Sequence, residues 1–502
     1  MNRAPTGRHR PRMHNAAPSG LIVVRSFQPP ASANSIYTSW PPRVDINLYV
    51  AELPEAEPRH QRRYNRLIVA HLSPAHRVAA GLQLPAATAQ PFAATQAAWR
   101  FYSNPRLSLP QLAQPLIDAA RQGVAEHCRD WLLVPMDWCN LHLSGHTDRL
   151  DRVALAHRHD LGYELLTALT LEDRRGQPLA PLCLELRAAD GMHSTRLQRL
   201  GTVRSKLDRL RPVMDHVRDL ALGKPPVFLI DREADSVDHY RQWNGQGHRF
   251  VVRANATPTV LHEFKQQSLE AVAQRLTEQN QFVFCGEVLF KGRKARQFVA
   301  ETSVVLARAA RRHRVDKSGV KRHQTRAGKP LLLRLVVSQI RDERGTLLAQ
   351  WLLLSNLPAS VTAATVALWY YWRWRIESYH KLLKGAGQQI ECWQQQTAEA
   401  WTRRLAVAAM AGVVVWRLAR DRDPAAEQLR HVLVRLSGRQ MKRGKTARGF
   451  TESALLAGLG VLIPMLELLR SHSVAELRQL LETSLPGVLQ TPPADPPTGD
   501  DG

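Results

Sequence analysis

Much is missing from this chain of 502 residues. Its five cysteines, Cys128, Cys139, Cys183, Cys285 and Cys392, are scattered and form no CxxC pair. That argues against a disulfide framework and a thiolate zinc site, and it fits a reducing compartment. No zinc-type His/Cys spacing, P-loop, GxGxxG or internal repeat is present. The N-terminus is basic but has no apolar h-region, so no signal peptide is expected. The longest apolar run, residues 405–416, falls short of the roughly 20 residues that span a bilayer. It reads as a buried helix, and no membrane partner is expected. Acids are also scarce: Asp and Glu number 44 against 69 Lys and Arg, a formal charge of +25 with a pI near 10.6. An excess of this size points to a polyanion, most simply nucleic acid. Free use of arginine in a high-GC organism accounts for some of the Arg but not readily for the shortage of acids.

What is present is organised around residues 361–385, VTAATVALWYYWRWRIESYHKLLKG. The stretch has no proline and no internal glycine, so its pattern predicts one unbroken helix. Tyr370, Arg373, Glu377 and Lys384 then fall within an arc of roughly 60° on one face. A surface ion-pair ladder is the plain explanation of such a face. The surrounding Trp369, Tyr371, Trp372, Trp374, Ile376 and Tyr379 argue instead for a mostly buried helix, and a buried carboxylate is costly unless paired or holding a metal.

The length allows two or three domains around a large core. Residues 1–43 form a basic arm rich in Arg and Pro. Residues 44–128 read as helices. Arg62 and Arg63 lie on one of them beside Tyr64, and Trp99, Arg100, Phe101 and Tyr102 precede an Asn-Pro turn. Basic residues beside aromatics suit a DNA backbone; a helical bundle with a solvated Arg face fits equally. Residues 129–254 turn to strands, with one long helix expected from about 194 to 222. Strands and helices in this order predict an α/β fold with a mixed sheet. Residues 255–357 look like an inserted antiparallel sheet carrying an Arg- and Lys-rich loop, 308–329. That loop reads as a mobile cationic finger or as a solvated loop. Residues 358–420 complete the core, 421–485 form further helices, and 486–502 a disordered tail.

Two short apolar runs, WLLVPM and VFLI, each end in an acid, Asp137 and Asp231. Ligands of open α/β sheets sit at such strand ends. For Asp231 a helix cap is the rival explanation. If both acids met Glu377, an all-oxygen site would result, suited to Mg2+ or Mn2+, with two ions able to act on a phosphodiester. Arg373 and Lys384 would then hold phosphate, and Tyr370 could hydrogen-bond to it.

YYWRWRIESYHKLLK resembles the tyrosine–arginine–glutamate–lysine signature of bacterial DDE transposases of the insertion-sequence-four family, in its transposon-five-like branch. LIDREAD and VPMD resemble that branch's two aspartate segments, and AAWRFYSNPRLS a segment of its N-terminal domain. The chain departs from the family after the first aspartate: Trp138 and Cys139 stand where Thr or Ser is frequent. The resemblance implies a ribonuclease-H-like core with flanking N- and C-terminal helical domains, and cut-and-paste DNA transposition. It implies Asp137, Asp231 and Glu377 as a catalytic triad holding Mg2+ or Mn2+, with two ions per site. Tyr370, Arg373 and Lys384 would contact phosphates near the cut. Trp351, otherwise a core residue, would receive a flipped base. Arg62, Arg63, Arg311, Arg312, Lys321 and Arg322 would make further DNA contacts. The resemblance also implies a homodimer in the synaptic complex, paired through residues 421–485, in the cytoplasm of a bacterium at its nucleoid. An inactive or domesticated DNA-binding protein and a structure-selective nuclease on the same core are the alternatives.

Overall fold

The computed structural model describes residues 52–73, 91–201, 205–315, 321–385, 387–438 and 450–484. The basic arm, the tail, the basic link 439–449 and the tip 316–320 of the Arg-rich stretch lie outside the described residues.

Three helices open the described chain: α1 (Pro58–Leu72), α2 (Pro91–Tyr102) and α3 (Leu109–His127). Proline sits in the first turn of α1 and α3, where a backbone N–H has no helical partner to lose. Ser108 caps α3 by accepting from the Gln111 N–H at 3.2 Å. Of the two readings of this region, the helical bundle fits Tyr64, Phe101 and Tyr102, which are core residues, whereas Trp99 is 47% exposed. Apolar periodicity decides here: the aromatics on the buried stripe serve packing.

β1 (Leu132–His142) enters the sheet through Asp173, whose carboxylate accepts the N–H groups of Arg129, Asp130 and Trp131 at 2.7, 2.8 and 2.9 Å. There follow β2 (Val153–Ala154), β3 (Leu161–Glu172), β4 (Pro178–Ala188), β5 (Gly191–Ser194) and β6 (Arg199–Leu200), all antiparallel to their neighbours. Gly176 turns β3 into β4 at φ +65°, and a Cβ there would meet the Trp372 ring at 2.3 Å. The long helix expected from 194 is therefore replaced in its first part by strands. Ser194 pairs with Glu185 in the ladder and donates its hydroxyl to the Glu185 carboxylate, so it does not cap a helix. The helix starts later: after a short 3-10 turn, α4 spans Leu210–Asp219.

β7 (Pro226–Ile230), α5 (Val237–Gly245) and β8 (Arg249–Arg253) complete the parallel part, β1–β7–β8. The inserted segment contains β9 (Thr259–His262), β10 (Lys265–Ser268), α6 (Leu269–Glu278), β11 (Val283–Phe290) and β12 (Arg293–Leu306). It continues through β13 (Ala310–Val315), β14 (Lys321–Arg326), β15 (Leu331–Arg341) and β16 (Leu347–Ser355). The insertion is antiparallel, as expected. It is not a separate sheet, because β16 pairs with β8 and extends the core sheet. The strand order is β10-β9-β12-β15-β16-β8-β7-β1-β3-β4-β5-β6, with β11 also on β12 and β2 on β3. The Arg-rich stretch is not a plain loop: β13 and β14 pair as a two-stranded ribbon with His313 opposite His323.

The remaining helices are α7 (Ala363–Trp372), α8 (Arg375–Leu383), α9 (Ala398–Arg420), α10 (Pro424–Leu436), α11 (Glu452–Leu468) and α12 (Val474–Ser484). α9 is buried almost throughout and packs against α1, α3 and β4. The architecture is mixed α/β: one large sheet of parallel and antiparallel strands with flanking helices. Among the described residues no helix is long and apolar enough to cross a membrane.

A buried histidine ties the first helix to the core. His71 Nδ1 lies 2.7 Å from Gln388 Oε1 and its Nε2 lies 3.2 Å from the Tyr102 hydroxyl. Burial, aided by Arg404, pushes its pKa down to about 3. The folded ring is neutral, while the unfolded ring takes a proton near its ordinary 6.5. Its contribution to stability is therefore complete above that value and is lost as pH falls towards 3. His71→Gln should reduce the pH dependence of unfolding free energy in this window by up to about 1.4 kcal/mol per pH unit. Urea unfolding at about pH 7.5 and about pH 5 checks this, and an unchanged slope would contradict it.

Candidate active site

The parallel pairing of β1 with β7 runs from Leu132 opposite Pro226 to Met136 opposite Ile230. Asp137 is the next residue of β1 and Asp231 the first residue past β7, so the register sets them side by side. Both apolar runs are buried, which leaves each acid at the first position where the sheet opens to water. β1 does not stop at its acid, although its apolar run ends there. It continues to His142 because its other edge is paired with β3. Asp231 does accept from the Arg232 N–H at 2.7 Å, as a cap would. Its other contacts show that capping is only part of its environment.

The third acid arrives on α8. The expected single helix is two, joined at Arg373 and Trp374. Arg373 N–H bonds to Tyr370 O at 3.1 Å and Ile376 N–H to Arg373 O at 3.1 Å, three residues apart rather than four. Both joint residues stay in the right-handed helical region, so the chain tightens locally without reversing. The tightening accompanies a guanidinium drawn inward: Arg373 is 1% exposed.

That guanidinium is the hub. Its Nη1 donates to Asp137 Oδ2 at 3.3 Å and its Nη2 to Glu377 Oε1 at 3.0 Å, with Asp231 Oδ2 3.8 Å from Nη2. Tyr370 donates its hydroxyl to Asp231 Oδ1 at 3.2 Å. Burial disfavours the guanidinium charge, but Tyr370 and the three carboxylates outweigh it and hold its pKa above the ordinary value. Burial raises Asp137 and Glu377, with Arg373 working against it. Asp231 goes the other way: burial is opposed by Arg373, Arg253, the Arg232 N–H and Tyr370, and its pKa lies below the ordinary value.

The three carboxylates form an all-oxygen donor set of the kind a hard divalent cation takes. Each remains partly open to water, with side chains 21%, 29% and 28% exposed. Arg373 Nε is buried without a hydrogen-bond partner, so the arginine is imperfectly satisfied where it sits. The residue types therefore fit such an ion. As the side chains stand, no group of three or more His, Cys, Asp or Glu among the described residues is arranged to hold one. The guanidinium supplies the positive charge in their midst.

Lys384 ends α8 and reaches β1 beyond Asp137. Its Nζ donates to Asn140 O at 2.5 Å and pairs with Glu391 at 3.1 Å, away from the three acids. Trp351 is 6% exposed and packs edge-on against Tyr370, with ring centroids 5.6 Å apart. Arg62 is exposed and Arg63 half-buried on α1. Arg311 and Arg312 are on β13, Lys321 and Arg322 on β14. Among the described residues, Arg62, Arg63 and Lys384 make no contact with the three acids; the side chains of residues 311–324 lie outside the described ones.

Two neighbours were missed. Arg253 Nε is 3.4 Å from Asp231 Oδ1. The pairing of Ile230 with Val252 puts Arg253 beside Asp231, and the charged end of the RFVVR run was the available signal. Lys206 sits over the Trp138 ring at 4.4 Å and pairs with Glu233 at 2.8 Å, which covers the site's other flank. Nothing in the local sequence links those three.

Residues 203–410 match the family model described as the transposase DDE domain. The DDE-domain match spans Asp231, Glu377, Tyr370, Arg373, Lys384, Trp351 and the whole insertion, but begins after Asp137. It suggests DNA transposition by phosphoryl transfer, and hence DNA binding. A comparison with curated proteins gave no match.

Removing the hub should expose the repulsion it balances. Arg373→Met should lower unfolding free energy by about 3 kcal/mol, in the range for deleting one partner of a buried ion pair. Adding Glu377→Gln should recover part of that loss, because one repelling charge is gone. Urea unfolding of the single and double variants measures this; strictly additive losses would contradict it.

Proposed function

We propose that the protein is a DDE transposase that cleaves DNA at the ends of its element and joins them to a target, on a ribonuclease-H-like core. The observation that carries this reading is the gathering of Asp137, Asp231 and Glu377 around one guanidinium. They come from two adjacent parallel strands and a helix, in a chain whose residues 203–410 match the DDE domain. The three carboxylates would hold Mg2+ or Mn2+, two ions per site. When bound, such ions supply an activated oxygen nucleophile and stabilise the leaving oxygen of a phosphodiester.

The chain's own residues do the rest. Arg373 must exchange its carboxylate partners for a phosphate, and its planar fork suits either. Tyr370, already a donor to Asp231, orients that carboxylate and can turn its hydroxyl towards phosphate. Lys384, on a carbonyl at β1, extends the positive track along the strand edge. Trp351 would have to move away from Tyr370 to stack on an extruded base, so base capture and movement of Tyr370 would be coupled. Arg62 and Arg63 on α1, with exposed Trp99 and Arg100 on α2, offer a basic surface for the DNA flank. Exposed Met465, Leu466, Leu469, Val474 and Leu480 at the C-terminal helices support pairing as a homodimer.

Glu377→Gln should abolish cleavage of a duplex carrying the element's terminal repeat while leaving its binding within about threefold, since the change removes one charge and little volume. Gel-resolved cleavage beside a binding titration tests this, and near-normal cutting would remove Glu377 from the reaction. Replacing Arg311, Arg312, Lys321 and Arg322 by Gln should flatten the salt dependence of DNA binding by about 0.9 for each phosphate that is no longer neutralised. An unchanged slope would mean that the ribbon does not touch DNA.

A further inference from the structure

Among the described residues, one side chain that neither the acids nor the phosphate contacts account for ties the base of the basic ribbon to a helix of the catalytic sheet. Arg241 lies on α5, the helix that follows Asp231. Its Nε donates to Lys329 O at 2.8 Å, and its Nη2 to Leu306 O at 3.1 Å and Arg308 O at 2.9 Å. Leu306 and Arg308 precede β13, and Lys329 follows β14. One guanidinium therefore clasps both feet of the ribbon. Carbonyls of a two-stranded ribbon leaving a sheet have no ladder partners at its base, and a planar fork with several fixed donors satisfies them together. Lysine could not do so, because its ammonium is one point of charge on a flexible stem.

The fit is close. A Cβ on Gly328 would come within 2.6 Å of Arg241 Nη1, so the residue before the outgoing foot has to be small for the guanidinium to lie as it does. The neighbouring residue on the same helix is tied to the turn that follows Asp231. Tyr240 donates its hydroxyl to Asp235 Oδ1 at 3.0 Å, and Asp235 accepts the Asn255 N–H at 2.8 Å. Asp235 ends the short turn that begins at Asp231. Arg308, at the incoming foot, and Tyr370, beside Asp231, both act electrostatically on the buried Tyr240 hydroxyl. The ribbon's feet and the turn that begins at Asp231 are thus both tied to adjacent residues of α5.

We propose that Arg241 is a positioning residue that fixes the aim of the Arg- and Lys-rich ribbon relative to Asp231. A duplex gripped by the ribbon is thereby held in register with the three carboxylates. The inference rests on the reading of the ribbon as a DNA contact. It adds that the ribbon's direction, and not its charge alone, sets where the DNA is cut. Loss of the brace leaves every basic side chain of the ribbon in place, so affinity and salt dependence should persist while register suffers.

The test uses the full-length chain and a duplex carrying the terminal repeat that brackets the gene. Arg241→Met, Arg241→Lys and Gly328→Ala are compared with wild type by single-turnover cleavage, salt-dependent binding and hydrogen exchange at residues 306–308 and 327–330. The expected result for Arg241→Met is binding within about threefold, an unchanged salt slope, faster exchange at both feet and a cleavage rate down by at least about tenfold, with cuts spread over neighbouring phosphates. Arg241→Lys should fall between it and wild type, and across the three variants the rate loss should rank with the exchange gain. A role confined to stability would lower the active fraction without spreading the cuts. Unchanged exchange at the feet in Arg241→Met overturns the proposal, and so does full-rate cutting at one phosphate despite loosened feet. A wild-type chain that binds but never cuts the duplex overturns the proposed function instead, and the exchange result still decides whether Arg241 is the brace.

Discussion

The site depends on one guanidinium placed among three carboxylates. Three like charges collected at the edge of an apolar sheet repel one another, and burial raises the free energy of each ionised form. Arg373 offsets both effects at once, because its fork reaches Asp137, Asp231 and Glu377 without being deprotonated. The arrangement is asymmetric: Asp231, with Arg253 and Tyr370 also beside it, favours the ionised form, whereas burial prevails at Asp137 and Glu377. If the site takes a divalent cation, as proposed, the new positive charge would oppose the same burial and mutual repulsion. A phosphate arriving with it offers Arg373 a replacement partner. On the proposed function, metal and DNA entry would in this way be linked through a single side chain.

The sheet makes that meeting possible. Parallel pairing of β1 with β7 puts two acids in adjacent positions, and the pairing of β8 with β7 adds Arg253 at the same level. The helices α7 and α8 then lay Tyr370, Arg373 and Glu377 across the opening. Aromatic packing holds them there: Trp369 meets Trp131 at the start of β1, and Trp372 rests on the Gly176 turn. The insertion continues the same sheet on its other side, and the ribbon leaves it between β12 and β15 as a separate two-stranded sheet.

How far this could be read from residues alone varied with the range of the interaction involved. The two aspartates were legible because a buried apolar run that ends in an acid is a local pattern, and Glu377 because an aromatic-clad helix with one cationic face is another. The joint at Arg373 was not legible: no proline or glycine marks it, and its partners lie on β1 and β7. The helix expected from residue 194 gave way to β5 and β6 because β4 offered its edge, a non-local pairing that outweighed helical periodicity. Tyr64 and Tyr102 beside arginines looked like a nucleic-acid surface, but only the three-dimensional packing separates an aromatic on the buried stripe from one such as Trp99 on the outer face. Arg253 and Arg241 escaped notice for the same reason: each has its effect through a strand or ribbon foot far off in sequence.

The most direct test of the central claim is a crystal of the protein soaked in Mn2+, with anomalous differences recorded at the manganese edge. The account predicts anomalous density shared by Asp137 and Asp231, with the Arg373 guanidinium displaced from between the acids. A guanidinium still centred on Asp137, Asp231 and Glu377 at saturating Mn2+, with no anomalous density beside them, would contradict it.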